Sequence, residues 1–305
     1  MTEALPFLPQ YLAARDGTRL RAGVFAAAPA TRGVCVLLHG QTEFIEKYGE
    51  VIGELNARGF TVATFDWRGQ GASARALDDP LKSYVKDFAQ FDDDLASFLE
   101  QIVKPMSNAP PFALAHSMGA HILLRTLHDR PQAFRAAVLT APMIAVSARG
   151  YPGWLARIVT ALYAGLGQGG EFAWGMAERD PFLITFDTQL VTSDRERFAQ
   201  AQDFLKTHSD LRLAGPTWGW LDAAYRSMAR VNGPGFPEAI PMPVLVCGAG
   251  KDRIVLTEAE RQFAARLPHG KYLEFDDSEH EILMENDSIR ARFWAAFDGF
   301  VAKKP

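Results

Sequence analysis

Cysteine is scarce in this chain, with only Cys35 and Cys247 among 305 residues. Each lies in an apolar, strand-like run, Val34 to Leu38 and Val244 to Cys247. They read as small buried hydrophobes, because a disulfide framework or a metal site needs more cysteines at closer spacing. Positive charge is not in excess either. The 32 Lys and Arg face 36 Asp and Glu for a formal net charge of -4, and no basic run or stripe offers a footprint for nucleic acid. No run of 18 apolar residues occurs, so no transmembrane helix is expected. Met1 to Gln10 has neither a basic n-region nor an apolar h-region, so no signal peptide is expected. The expected location is cytoplasmic, with loose attachment to a membrane surface left open. Internal repeats and low-complexity tracts are absent as well.

What remains is ordinary in bulk: 48% hydrophobic and 22% charged residues, the balance of a soluble globular chain able to bury a large core. The length suits one large α/β domain with an insertion, or two small domains. Taken in order, Asp16-Gly17 marks a hairpin turn before a strand from Arg19 to Ala26. Gly33 to Leu38 is a continuous apolar run, as in a strand buried on both faces, and it ends at His39-Gly40. A helix is expected over 47–58, stopped by Gly59. A strand from Phe60 to Phe65 runs into the glycine-rich turn Asp66-Trp-Arg-Gly-Gln-Gly71. Val85, Phe88, Phe91, Leu95, Phe98, Leu99 and Ile102 recur at helical spacing and predict a helix over 84–103. Strands follow at 111–116 and 136–140, separated by a helix over 118–129. This alternation predicts a mostly parallel sheet covered on both faces, with ligands bound beyond the carboxyl ends of the strands.

The rhythm breaks after Pro142 and resumes at Pro243 with Val244-Leu-Val-Cys-Gly248. The residues 144–238 between read as a helical insertion, or cap, folded over the carboxyl ends of the strands. The remaining core, 1–143 and 239–305, closes with a strand at 271–276 and a helix over 286–301. The cap holds Trp154, Trp174, Trp218 and Trp220, four of the six tryptophans. Most cap aromatics are expected to build the cap's own small core. An aromatic-rich cover still favours an apolar substrate, and Trp174, Trp218 and Trp220, with His116 and Glu43 below them, are the candidate substrate contacts.

The chemistry centres on Pro111 to Ala120, read as a strand, a sharp turn and a helix. Ala115-His116-Ser117-Met118-Gly119 fits the nucleophile elbow G-x-S-x-G, with alanine for the first glycine. A serine hydroxyl is a weak nucleophile that needs a histidine base and an acid to orient it. In parallel-sheet hydrolases these follow in the order Ser, Asp or Glu, His, on loops after later strands. Asp252 follows the strand at 244–247, and His280 follows the strand at 271–276. Of seven histidines, only His280 has that late, strand-end placement; His39 and His116 read as packing around the elbow. The oxyanion of an acyl-transfer intermediate needs fixed donors. The backbone N–H groups of Met118 and Gln41 are assigned that task, with the Gln41 side chain as a second candidate donor.

Together, His39-Gly-Gln-Thr-Glu43, Asp66-Trp-Arg-Gly-Gln-Gly71, His116-Ser-Met-Gly119, Asp252-Arg-Ile-Val255 and His280-Glu-Ile-Leu-Met-Glu285 resemble the α/β-hydrolase group of bacterial lysophospholipases and monoacylglycerol lipases. In the cap, Leu190 to Phe198 and Gly215 to Leu221 resemble the lysophospholipase branch. The resemblance implies an α/β-hydrolase fold: a mostly parallel eight-stranded sheet with helices on both faces and a helical cap. It implies Ser117 as nucleophile, His280 as base, Asp252 as its orienter, and Glu43 as an ordering group for the oxyanion loop, against a plain surface carboxylate. It requires no metal or organic cofactor. The expected reaction is hydrolysis of a carboxylic ester of a single-chain lipid, a lysophospholipid or a monoacylglycerol, through an acyl-enzyme. A small-ester carboxylesterase, a serine peptidase and a non-catalytic binding protein are the alternatives. Oligomeric state is not legible.

Overall fold

Alternation along the central strands decides the architecture. In β3 (Val34–Leu38), Val34, Val36 and Leu38 enter one apolar cluster while Cys35 and Leu37 enter another. In β5 (Phe112–His116), Ala113 and Ala115 face the first cluster, and Phe112 and Leu114 the second. Successive side chains of a strand point to opposite faces, so a strand apolar at every position must be covered on both. The computed structural model, which describes residues 7–148 and 150–302, shows that covering. Residues 1–6 of the stretch from which no signal peptide is expected lie outside the described residues.

The sheet has eight strands: β1 (Gln10–Ala13), β2 (Arg19–Phe25), β3, β4 (Thr61–Phe65), β5, β6 (Ala136–Thr140), β7 (Val244–Ala249) and β8 (Gly270–Phe275). Their spatial order is β1-β2-β4-β3-β5-β6-β7-β8. The β1–β2 and β2–β4 pairs are antiparallel, and every pair from β4–β3 onward is parallel. On one face lie α1 (Gly49–Ala57), through Val51, Ile52 and Leu55, and α8 (Asp287–Val301), through Ile289, Phe293, Trp294, Phe297 and Phe300. Each such aromatic or branched side chain, fully buried, contributes about 1.5–3 kcal/mol over exposure. The other face is covered by α2 (Ala89–Phe98), α3 (Ser117–Asp129) and α7 (Thr257–Arg266).

Between β6 and β7 come α4 (Gly153–Tyr163), α5 (Arg195–Thr207) and α6 (Trp218–Val231), and no strand among the described residues. Asp194 caps α5 by accepting from Arg197 N, and Thr217 caps α6 by accepting from Trp220 N. Helix α6 packs two ways. Trp220, Ala223, Ala224, Met228 and Val231 join the core against the α2–α3 face, while the Trp218 ring stacks on Tyr163 of α4 at 4.4 Å.

The helix expected over 84–103 starts later, at Ala89, and its last turn widens to a π-helix over Leu99–Val103. Val85 and Phe88 are buried as helical spacing suggested, but the chain before them pairs with the 214–217 segment. Ser83 N donates to Gly215 O and Thr217 N to Ser83 O. That pairing consumes backbone groups a helix would have used.

Candidate active site

Strand β5 ends at His116, and α3 starts at Ser117 with no side-chain cap. The reversal is tight enough to force Ser117 to φ 49°, a left-handed conformation that costs a non-glycine residue of order 1–3 kcal/mol and persists where surroundings hold it. Two contacts hold it. The Ser117 carbonyl accepts from Met143 N at 3.1 Å, just past β6. A Cβ on Gly119 would stand 2.4 Å from His39 O, so α3 lies against the end of β3 as only glycine permits. Ala115, the departure from the G-x-S-x-G pattern, is fully buried in the core beneath.

Three side chains distant in sequence meet at this elbow. His280 Nε2 lies 2.9 Å from Ser117 Oγ, and His280 Nδ1 lies 2.5 Å from Asp252 Oδ2. The other Asp252 oxygen accepts from Ile254 N and Val255 N, which fixes the carboxylate on the loop after β7. Burial alone would raise the Asp252 pKa, but the charge and hydrogen bond of His280 and the two N–H donors outweigh it, and the group is held below the ordinary range. For His280, burial favours the neutral ring, yet the Asp252 charge and hydrogen bond prevail and its pKa is raised. Ser117 is 7% and His280 4% exposed, so the line of three is shielded from bulk water.

The β3–α1 loop faces the elbow. No described group accepts a hydrogen bond from the Gln41 N–H, and the Gln41 Nε2 is buried without a partner. With Met118 N in the uncapped first turn of α3, this leaves donors at a helix N-terminus, where negative charge is favoured. Glu43 is 4% exposed rather than a surface carboxylate. It accepts from Gly40 N and Tyr48 OH, and Lys47 Nζ bridges it at 2.7 Å to Glu281 at 2.6 Å. Burial opposes ionisation of Glu43, but the charge and hydrogen bond of Lys47 hold its pKa well down. Glu281, with fewer donors, is pushed up by the same burial. The ammonium thus ties the β3–α1 loop to the residue beside His280.

His116 is buried, with Nδ1 3.1 Å from both Thr140 O and Thr140 Oγ1, and its ring 4.8 Å from that of His280. Burial drives its pKa down to about 3, so it is neutral. Of the three candidate tryptophans, Trp220 packs on Phe88 within the core and Trp218 lies between Tyr163 and Trp174. Trp174 alone of the three is exposed, at 66%. Sequence reasoning missed Lys47 and Glu281. The i,i+4 spacing of Glu43 and Lys47 was the available signal; the link to Glu281 spans 234 positions and left none.

The family model described as serine aminopeptidase, S33, matches residues 29–287. Lysophospholipase L2 of Escherichia coli K12 is 31% identical over 268 residues, covering 85% of this chain and 77% of that protein. The probable lysophospholipase L2 of Haemophilus influenzae is 26% identical over 309 residues, covering 99% and 95%. Among solved structures, a soluble variant of monoglyceride lipase from Saccharomyces cerevisiae superposes with a TM-score of 0.77 at 19% identity, covering 99% of this chain and 98% of that one. The last likeness bears on fold, and the first two on lineage. This chain belongs to the α/β-hydrolase family described as serine aminopeptidase, S33.

Proposed function

We propose that this protein is a serine hydrolase that cleaves the carboxylic ester of a single-chain lipid, a lysophospholipid or monoacylglycerol. The observation that carries the reading is the hydrogen-bonded line from Ser117 Oγ through His280 to Asp252, at the end of the sheet where ligands bind in parallel α/β folds. Ser117 Oγ attacks the acyl carbon as its proton passes to His280 Nε2. Asp252 keeps the ring in the reactive tautomer and balances the imidazolium. The carbonyl oxygen becomes an oxyanion and takes hydrogen bonds from Met118 N and Gln41 N. Collapse expels the alcohol, which takes the proton from His280, and leaves an acyl-Ser117 ester. Water, deprotonated by His280, repeats the sequence and releases the fatty acid.

The names of the two bacterial relatives support the lipid substrate. So does the outer face of the cap. Tyr151, Trp154, Ile158, Leu162 and Leu166 are 55–70% exposed and recur at intervals of three or four along α4 and its flanks, an apolar stripe with the spacing of one helix face. Such a stripe suits transient contact with a lipid surface. No helix among the described residues is long and apolar enough to cross a membrane. In this reading 144–238 is the cap of a core formed by 1–143 and 239–305, the protein acts from the cytoplasm, and Trp174 offers ring surface to the incoming chain.

The test is hydrolysis of an acyl-chain series of lysophosphatidylcholines and monoacylglycerols, with short soluble esters and an aminoacyl amide alongside. Long-chain lipid esters are expected to turn over fastest, and Ser117→Ala is expected to lose about 10⁶ in kcat while remaining folded. An active alanine variant rejects the mechanism; preferential cleavage of the aminoacyl amide rejects the substrate class.

A further inference from the structure

The Asp66-Trp-Arg-Gly-Gln-Gly71 turn has no place in the chemistry above, although it is buried beside it. It grips the β3–α1 loop at three points. Trp67 Nε1 donates to His39 O at 2.9 Å, Gln70 Oε1 accepts from Thr42 N at 2.5 Å, and Asp66 Oδ1 accepts from Ile45 N at 3.0 Å. The turn is itself rigid. Asp66 also receives Ala72 N, and a Cβ on Gly71 would sit 2.2 Å from the Asp66 carboxyl, so the chain closes on its own anchor.

Gln41, whose N–H is free, lies between the first two grip points. Thr42 is one of three non-glycine residues with positive φ among the described residues, at 66°, with Ser117 and Ala141. A β-branched residue does not rest there unaided. Its amide is held by Gln70, a side chain 1% exposed. The same side chain reaches the other wall of the site, with Nε2 3.8 Å from Met118 Sδ. One carboxamide therefore reaches both sides of the proposed oxyanion position: Thr42, the neighbour of Gln41, and the side chain of Met118.

We infer that Gln70 is the positioning residue of the oxyanion hole: its side-chain amide holds Thr42 in the left-handed conformation and fixes Met118 opposite, so that two N–H groups from separate loops converge on one oxygen. The inference rests on the serine-hydrolase reading. Gln70 does not touch the reacting atoms. Loss of its hydrogen bonds misaims a donor rather than deleting one, so the cost falls below the 10²–10³ of a lost oxyanion donor.

The test compares Gln70→Met, which keeps the volume and removes both hydrogen bonds, with Gln70→Glu, which keeps the acceptor for Thr42 N. A soluble ester is the substrate. The ligands are a trifluoromethyl ketone that forms an oxyanion on Ser117 and an isosteric alcohol that forms none. For Gln70→Met we expect kcat to fall about thirtyfold with KM within about twofold, as an interaction made only in the transition state requires. Ketone affinity should fall by the same factor and alcohol affinity should hold. Gln70→Glu should recover part of both losses together. An unchanged kcat, or a loss of kcat without a parallel loss of ketone affinity, overturns the inference in whichever variant is folded by circular dichroism. Ser117→Ala in the same assay keeps the two readings apart. Its inactivity beside a normal Gln70→Met rejects this inference alone, and its activity rejects the serine-hydrolase reading itself.

Discussion

The elbow at Ser117 and the helix α4 lie in the same chain and obey opposite rules. Around Ser117 nearly every polar group is buried and engaged: Asp252 by two backbone N–H groups and a ring nitrogen, Glu43 by a backbone amide, a phenol and an ammonium. Along α4 only Thr160 is buried, and Trp154, Ile158 and Leu162 face outward. In the first region free energy is spent on fixing a few atoms, including three backbone conformations that L-residues avoid. In the second, apolar surface is left uncovered. A reaction that is the same for every ester needs fixed geometry, whereas placement on a substrate phase needs only exposed apolar area. If that division is right, substitutions in the two regions must separate cleanly in their effects.

The largest expected effect is in the elbow. Asp252→Asn keeps the shape but supplies the wrong hydrogen-bonding partner to His280 Nδ1, and kcat on a soluble ester should fall about 10⁴-fold with the fold intact by circular dichroism. Next, the double variant Ile158→Glu with Leu162→Glu on α4 should leave soluble-ester turnover within about twofold. It should weaken sedimentation with phosphatidylcholine vesicles by about a hundredfold, since two such side chains lose about 1.5 kcal/mol each of burial. A parallel loss on the soluble ester would break the division.

The pH profile offers a third, smaller test. In the proposed mechanism His280 must be neutral to accept the serine proton, and its pKa is raised. The limb of kcat/KM is therefore expected above the ordinary histidine midpoint of about 6.5, with a tenfold drop per unit below it. Glu281 helps hold the proton on His280, so Glu281→Gln should move the limb to lower pH. At Lys47 the expected effect falls on stability more than on rate. Lys47→Met strands two buried carboxyl groups and should lower stability in urea by about 3 kcal/mol, with kcat reduced only severalfold.

The strands were legible because burial on both faces writes continuous apolar runs such as Val34 to Leu38. The meeting of Ser117, Asp252 and His280 followed from chain order and strand-end placement. The start of the helix over 84–103 falls later because Val85 and Phe88 keep the apolar spacing while Ser83, just before them, pairs its backbone with Gly215 and Thr217 more than 130 positions away, which no local pattern records. The Lys47–Glu281 link and Gln70 escaped for the same reason. Their partners are brought close by the sheet order, and a lone Lys, Glu or Gln in a loop looks like any solvated side chain. Trp218 and Trp220 show the converse, since a tryptophan in a cap reads as a ligand contact until its neighbours are known. Glu260 could not have been singled out at all. It is a fully buried carboxyl on α7 with neither oxygen hydrogen-bonded among the described residues, and burial pushes its pKa well up.

The two thiols in β3 and β7 lend themselves to one more use. Both sulfurs are sealed within the same apolar layer of the sheet, and burial pushes both pKa values up, so neither supplies the thiolate that alkylating reagents require. Iodoacetamide can mark them only when central strands part, an event drawn from the top of the opening-energy range. The native chain thus carries its own clock for global unfolding, readable by mass spectrometry without engineering, and indifferent to local changes in the segment between β6 and β7.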